Sequence, residues 1–213
     1  MSKKITLIAS LDNERFKGGI YTIAHHLLKR KDLWAKAGYS LEGVSSCQLH
    51  SRKLSNLGKF RFENIKNVVR VIRAIVLSEK KESSYGFYMM TSTGLGFLKD
   101  LVVASYIKRR WKNKKMVLNV QFSEMERILP RHTFLKKLSI GLLKYSIDVL
   151  FVLNGETARH FKQLGFNKHI GVISNFYIPA ELLVQSANHS QKLALLYLGM
   201  MDKRKGFDKL LEI

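Results

Sequence analysis

The stretch KKITLIASLDNERFKGGIYTIAHHLL (residues 3–28) decides the fold class. Ile5–Ser10 is a short apolar run bounded by polar residues, which is typical of a buried strand. Gly18 and Gly19 follow a polar loop. The apolar residues after them recur at helical spacing: Ile20, Ile23, Ala24, Leu27 and Leu28. A strand, a glycine turn and an amphipathic helix in this order predict the start of a βαβ unit.

The same alternation continues along the chain. Further strands are predicted in part of Tyr39–Ser45 and at Tyr85–Met90, Met116–Phe122, Val149–Leu153 and Gly171–Ile173. Helices are predicted from Phe62 to Val76, from the TSTGLG loop to about Trp111, at about 132–146 and at Glu156–Leu164, with a loop at 46–60. This order predicts an α/β fold with a doubly wound, Rossmann-like parallel sheet. Ligands should then bind at the carboxyl ends of the strands, in the loops after Ser10, Met90, Phe122 and Leu153.

Charge sets the class of partner. The 213 residues include 37 Lys and Arg against 16 Asp and Glu, so the net charge is +21 and an anionic partner is favoured. A single cysteine excludes an internal disulfide framework and a multi-cysteine zinc site. No apolar run approaches the roughly 20 residues that span a bilayer. We expect a cytoplasmic protein that can lie on the inner face of the cell membrane.

Two basic segments leave alternatives open. KRRWKNKK (108–115) suits a nucleic-acid patch, a membrane-surface anchor or a solvated helix end. In RHTFLKKLSIGLLKYS (131–146) an apolar stripe adjoins lysines, which suits either core packing or contact with a membrane interface. The stripe consists of Phe134, Leu135, Leu138 and Leu142. We predict no nucleic-acid partner, because the chain has no recognisable RNA- or DNA-binding motif.

Four stretches together resemble the N-terminal half of GT-B-fold, retaining, nucleotide-sugar-dependent glycosyltransferases of the family 4 type. They are KKITLIAS with KGGIYTIAHHLL, then MVLNVQFSE, then YSIDVLFVLNGETARHFKQLGFNKHIGVISNFY, and finally LLYLGMMDKRKGFDKLLEI. The last stretch is similar to the strand and loop that open the second domain of that family. The resemblance implies an acceptor-side Rossmann-like domain at 1–178, a linker at 179–192 and the start of a donor-binding domain, truncated early, at 193–213.

The resemblance also implies a function. A sugar would pass from a nucleotide-sugar donor to a saccharide or lipid-linked acceptor, with retention at the anomeric carbon, in the biosynthesis of a bacterial cell-surface polysaccharide. No metal or cofactor is expected, because cationic side chains and a helix terminus would meet the donor diphosphate. The alternative is an inactive truncated fragment that only binds an acceptor or a membrane.

Site residues follow from the resemblance. Gly18, Gly19 and Lys205 are expected to face the donor diphosphate, while Met200 stands where the family has a companion arginine. Asn119, Gln121 and Glu124 are the catalytic candidates, although Asn119 and Gln121 stand where histidines are common. An amide can hydrogen-bond a sugar hydroxyl but cannot shuttle a proton near neutral pH. The loop residues Thr91, Ser92 and Thr93 are expected to bind the acceptor.

Overall fold

The computed structural model of the protein describes residues 2–11, 19–46, 62–91 and 93–174. The strands are β1 (Lys3–Ala9), β2 (Tyr39–Ser45), β3 (Gly86–Thr91), β4 (Lys115–Val120), β5 (Val149–Val152) and β6 (His169–Val172). The helices are α1 (Gly19–Lys29), α2 (Lys31–Lys36), α3 (Phe62–Lys81), α4 (Leu95–Arg110), α5 (Met125–Ile128), α6 (Thr133–Ser146) and α7 (Gly155–Gln163). The predicted linker, the predicted second-domain segment and most of the loop predicted at 46–60 lie outside these ranges.

The strands form one six-stranded sheet in the order β2-β1-β3-β4-β5-β6, and all the pairs are parallel. The predicted α/β fold with a Rossmann-like parallel sheet is therefore confirmed. Each strand and helix that the sequence predicted within the described ranges is present, with ends that differ by a few residues. The sequence missed α2 and α5, because six and four residues are too few to display a helical period.

Helices cover the sheet on both faces, and alternation along β1 assigns each side chain to one of them. Leu7 and Ala9 pack with Ala24 of α1, whereas Ile8 belongs to a larger core on the opposite face. That larger core is contributed by α3, α4, α6 and α7, whose buried residues include Ile75, Leu101, Leu143 and Phe161. None of the described helices is long and apolar enough to cross a membrane.

The amino edge of the sheet is held by ion pairs. The buried Lys4 ammonium lies 2.9 Å from the Glu42 carboxylate, and the Lys108 ammonium lies 2.7 Å from Asp148. Lys114 pairs with Glu79, which also accepts the backbone N–H of Ser84. In each pair the buried charge is compensated by an opposite charge. The pairs of Lys108 with Asp148 and of Lys114 with Glu79 also join a helix to a segment next to a strand. Their position, far from the carboxyl ends of the strands, assigns them to stability.

Candidate functional site at the carboxyl edge of the sheet

Strand order reverses between β1 and β3, since β2 lies on one side of this pair and β4, β5 and β6 lie on the other. In sheets of this kind the connections leave in opposite directions at such a point, so we expect a crevice between the loops that follow the two strands. The fold therefore places the candidate site at the carboxyl ends of β1, β3 and β4. The loops predicted to carry the chemistry after Ser10, Met90 and Phe122 all begin at this edge.

The β1 side of the crevice contains the start of α1. This 11-residue helix begins at Gly19 and has no acidic residue in its first turn. Its first N–H groups have no partner within the helix and carry the positive end of the helix dipole, which favours an anion. A side chain at Gly19 would meet nothing within 4 Å. Gly18, and the residues Met200 and Lys205 of the predicted second domain, lie outside the described residues.

The β3 side is braced by a buried polar group. The Thr91 hydroxyl donates to Asp100 Oδ2 at 3.0 Å, and Asp100 lies 3.0 Å from the Lys99 ammonium. Lys99 also donates to the carbonyl of Ser46, immediately after β2, at 3.1 Å. Thr91 is fully buried, so its hydroxyl fixes the loop from inside. Among the predicted acceptor-binding residues Thr93 is half-buried, and Ser92 lies outside the described residues.

A glycine joins the loops that follow β3 and β4. The Gly94 N–H donates to the carbonyls of Arg127 and Ile128 at 2.9 and 3.0 Å. Gly94 has a φ of 59° and a ψ of −124°, a backbone conformation that residues with a Cβ avoid. The crevice is therefore bounded on this side by two loops that hold one another.

Three polar side chains joined by hydrogen bonds lie on the α1 side of the sheet. Asn119 Nδ2 donates to the Tyr88 hydroxyl at 2.5 Å, and Gln121 Nε2 donates to Asn119 Oδ1 at 2.7 Å. Asn119 is only 3% exposed, whereas Tyr88 and Gln121 are half-buried. The series Gln121–Asn119–Tyr88 thus has a buried centre and two accessible ends. By their chemistry, the Tyr88 hydroxyl can still donate its hydrogen and the Gln121 carbonyl oxygen can still accept a hydrogen bond.

Tyr88 keeps its proton over the physiological range. Burial raises the pKa of the phenol above its ordinary value of 10.0, although the hydrogen bond from Asn119 opposes that shift. The phenol is therefore a neutral donor and acceptor, and both amides are neutral too. This part of the site can bind hydroxyl groups but has no group that takes up a proton near neutral pH.

Glu124, the third predicted catalytic residue, has a different environment from Asn119 and Gln121. It directly precedes α5, and its carboxylate forms an exposed ion pair with Arg127. The preceding residue is anchored, because the Thr157 hydroxyl donates to the carbonyl of Ser123 at 2.9 Å. The structure brings Asn119 and Gln121 into contact, and it places Glu124 on the adjoining loop. The catalytic role of all three stays a prediction.

The basic segment 108–115 is built largely into the fold. Trp111 packs on Phe87 with ring centroids 5.7 Å apart, and the Lys114 ammonium lies 5.6 Å from the Trp111 ring centroid. Lys108 and Lys114 are the partners of Asp148 and Glu79 at the amino edge. These contacts build Lys108, Trp111 and Lys114 into the fold, so a solvated helix end does not describe these three residues.

Three residues of the site were not singled out from the sequence: Tyr88, Lys99 and Asp100. Alternation alone places Tyr88 and Met90 on one face of β3, and it places Asn119 of β4 and Gln121, one residue beyond the end of β4, on one side of the sheet. The missing information is the parallel register, in which Tyr88 pairs with Val117 and Met90 pairs with Asn119. That register makes Tyr88 a diagonal neighbour of Asn119. A buried Asp in a helix gives no comparable signal.

Comparison of the sequence with protein-family models and with curated proteins finds no match for the chain. Within the residues that the structure describes, no group of three or more His, Cys, Asp and Glu side chains could hold a metal ion.

Proposed function

We propose that this chain is the acceptor-side domain of a retaining glycosyltransferase that takes its sugar from a nucleotide-sugar donor. The observation that carries the proposal is the neutral series Gln121–Asn119–Tyr88, which lies beside the strand-order reversal of a Rossmann-like sheet. Its position at the carboxyl edge is where α/β sheets bind ligands. The four stretches that resemble family 4 glycosyltransferases support the same assignment.

The chemistry of the series suits a saccharide. Each sugar hydroxyl both donates and accepts hydrogen bonds, as does each end of the series. The half-buried Gln121 and Tyr88 contact the acceptor in this proposal. Asn119, which is buried between them, is a positioning residue. Because neither amide can take up a proton near neutral pH, these residues orient the attacking hydroxyl and do not act as its base.

The donor diphosphate is assigned to the other side of the crevice. In this proposal the diphosphate lies at the start of α1, where the positive end of the helix dipole favours an anion, and Gly18 and Gly19 would let the backbone approach the phosphates closely. Lys205 would add a cation to stabilise the charge of the leaving group. On this proposal the diphosphate needs no metal. The acceptor is a saccharide or lipid-linked saccharide of a cell-surface polysaccharide.

A transfer assay tests the proposal. The full 213-residue chain is incubated with UDP-, GDP- and ADP-sugars and a panel of methyl glycosides, and release of nucleoside diphosphate is measured. If the chain transfers sugar by itself, release should require both donor and acceptor, fall in Gln121→Ala and persist in Gln163→Ala. Gln163 is a matched control, since it is exposed at the end of α7.

The outcomes separate the proposal from its alternative. Acceptor-dependent release with an α-configured product from an α-configured donor supports a retaining transferase. Saccharide binding that is sensitive to Gln121→Ala but gives no release supports a fragment that only binds the acceptor. Failure to bind any saccharide and to release any nucleotide contradicts both.

A further inference from the structure

The outer face of α6 carries exposed apolar side chains. Phe134, Leu138 and Tyr145 are 66%, 41% and 54% exposed, and their spacing of four and seven residues places them along one side of the helix. Gly141 lies on the same side and has open space where a side chain would be. We call this stripe of Phe134, Leu138, Gly141 and Tyr145 the α6 outer face.

The rest of α6 packs inward, so core packing, one of the two alternatives for this segment, describes only part of the helix. Ser139, Leu143 and Ser146 are buried, and Leu142 packs against the larger core. Leu135 is half-buried. Core packing thus accounts for Leu142 and Leu143, but it does not account for Phe134, Leu138 and Tyr145. A helix whose core face is satisfied has no folding requirement for a second apolar stripe.

The exposed charged side chains on α6 and on α4 have one sign. Residues 128–147 contain no Asp or Glu, and their cationic side chains are all exposed: Arg131, Lys136, Lys137 and Lys144. On α4, which packs against α6, the exposed residues include Val102 and Tyr106, and the one carboxylate, Asp100, is buried. Apolar side chains beside cations and without anions complement an anionic lipid surface.

We propose that the α6 outer face docks on an anionic lipid bilayer, with Phe134, Leu138 and Tyr145 in the interface and Lys137 and Lys144 at the headgroups. α4 and α6 each connect parallel strands, so they run antiparallel to the sheet and begin at its carboxyl edge. Phe134 lies in the first turn of α6, on the side of the molecule that holds the crevice. Docking there would present the crevice to molecules held in the bilayer.

Vesicle partitioning tests the docking. The full chain is mixed with phosphatidylglycerol-containing vesicles and with pure phosphatidylcholine vesicles, and bound protein is measured by flotation. We expect binding to the anionic vesicles that weakens as salt rises. Phe134→Ser with Leu138→Ser should reduce the partition coefficient about tenfold or more. Leu33→Ser should leave it unchanged, because Leu33 is equally exposed (48%) on α2, at the far edge of the sheet.

Two double charge-reversal variants separate the effect of charge on α6 from the effect of net charge. Lys137→Glu with Lys144→Glu should lower anionic-vesicle binding about tenfold, because two cations at the headgroups are replaced by anions. Lys31→Glu with Lys36→Glu makes the same change in net charge on exposed positions of α2 and should have a much smaller effect. Equal losses in the two pairs would overturn the assignment to α6.

A variant that should gain binding provides a further test, provided that its circular dichroism spectrum matches that of the unmodified chain. Gly141→Leu adds an apolar side chain to the α6 outer face in open space, so binding to anionic vesicles should rise severalfold. The absence of any vesicle binding by the unmodified chain overturns the proposal, as does binding to duplex DNA but not to vesicles. Neither result bears on sugar binding at the crevice, so this proposal and the proposed function can fail separately.

Discussion

Asn119 Nδ2 lies 2.5 Å from the hydroxyl oxygen of Tyr88, on a neighbouring strand of the sheet. The contact exists because β3 and β4 pair in a parallel register that offsets the two residues by two positions. Asn119 is buried, so its amide depends on protein partners: it donates to Tyr88 and accepts from Gln121. The same contact stabilises the strand pair and sets the geometry of the candidate saccharide site.

Removing the Tyr88 hydroxyl should destabilise the protein. In Tyr88→Phe the Asn119 amide keeps a buried donor without its acceptor, so we expect a loss of about 1–3 kcal/mol in the free energy of unfolding. Urea denaturation measures it. Tyr85→Phe is the control, because the Tyr85 ring is 53% exposed just before β3 and should cost much less. Equal effects of the two variants would show that the Tyr88–Asn119 bond contributes nothing specific.

Tyr88 should ionise at a higher pH than a tyrosine in an unfolded chain. Its folded pKa is raised above 10.0 by burial, although the Asn119 hydrogen bond partly offsets this. The unfolded chain then loses this proton first, so the stability that the neutral phenol contributes is complete below about pH 10 and is lost as pH rises towards the folded pKa. Ultraviolet absorbance of tyrosinate measures the titration. The part of the absorbance change that occurs at the highest pH should be absent in Tyr88→Phe. If it persists in that variant, it belongs to another tyrosine.

The ion pair of Lys108 and Asp148 should support the fold in a pH-dependent way. Burial acts to raise the pKa of Asp148, but the Lys108 ammonium and the Met116 N–H stabilise the carboxylate and leave its pKa below 3.8. Stability from this group is therefore present above pH 3.8 and is lost as pH falls through the folded pKa. Asp148→Asn should cost roughly 1–3 kcal/mol near neutral pH.

The acid range provides the check on that prediction. The difference in unfolding free energy between Asp148→Asn and the unmodified protein should shrink as the pH is lowered through the folded pKa of Asp148, because both side chains are then neutral. Chemical denaturation at a series of pH values measures the difference. A difference that stays constant down to about pH 2 would mean that charge is not the source of the effect.

Two glycines should respond oppositely to alanine. Gly94→Ala should destabilise the protein by about 1–3 kcal/mol, because a Cβ is strained in this backbone conformation even though the space around it is open. Gly141→Ala should stabilise it by up to about 1 kcal/mol, since Gly141 is helical and also has open space. Thermal melts compare the two. Destabilisation by Gly141→Ala as well would show that the backbone conformation at the two glycines does not decide the two effects.

Hydrophobic period was enough to predict the fold class. Runs such as Ile5–Ser10 and Val149–Leu153 are too short and too apolar for surface helices, and Ile65, Val69 and Ile72 repeat at helical spacing. These local signals place the strands and helices in order, and alternation of the two elements then requires a parallel sheet. The carboxyl edge, as the place of the site, follows from that topology.

The contacts within the site could not be predicted in the same way. Asn119 lies on β4 and Gln121 lies one residue beyond its end, so alternation alone brings the two together. Tyr88 joins them only through the register of β3 on β4. The apolar residues of α6 gave an ambiguous signal for a related reason. Leu142 and Leu138 repeat at helical spacing, yet Leu142 packs inward and Leu138 is exposed, which depends on how α6 is rotated against the core.

Saccharide binding at the carboxyl edge is the central claim, and saturation-transfer NMR tests it most directly. The full chain is titrated with methyl glycosides of common hexoses and N-acetylhexosamines. We predict that at least one binds, that Gln121→Ala weakens its affinity about threefold to tenfold through the loss of a hydrogen bond, and that Gln163→Ala does not. A panel in which nothing binds, or binding that Gln121→Ala and Asn119→Ala leave unchanged, would contradict the account.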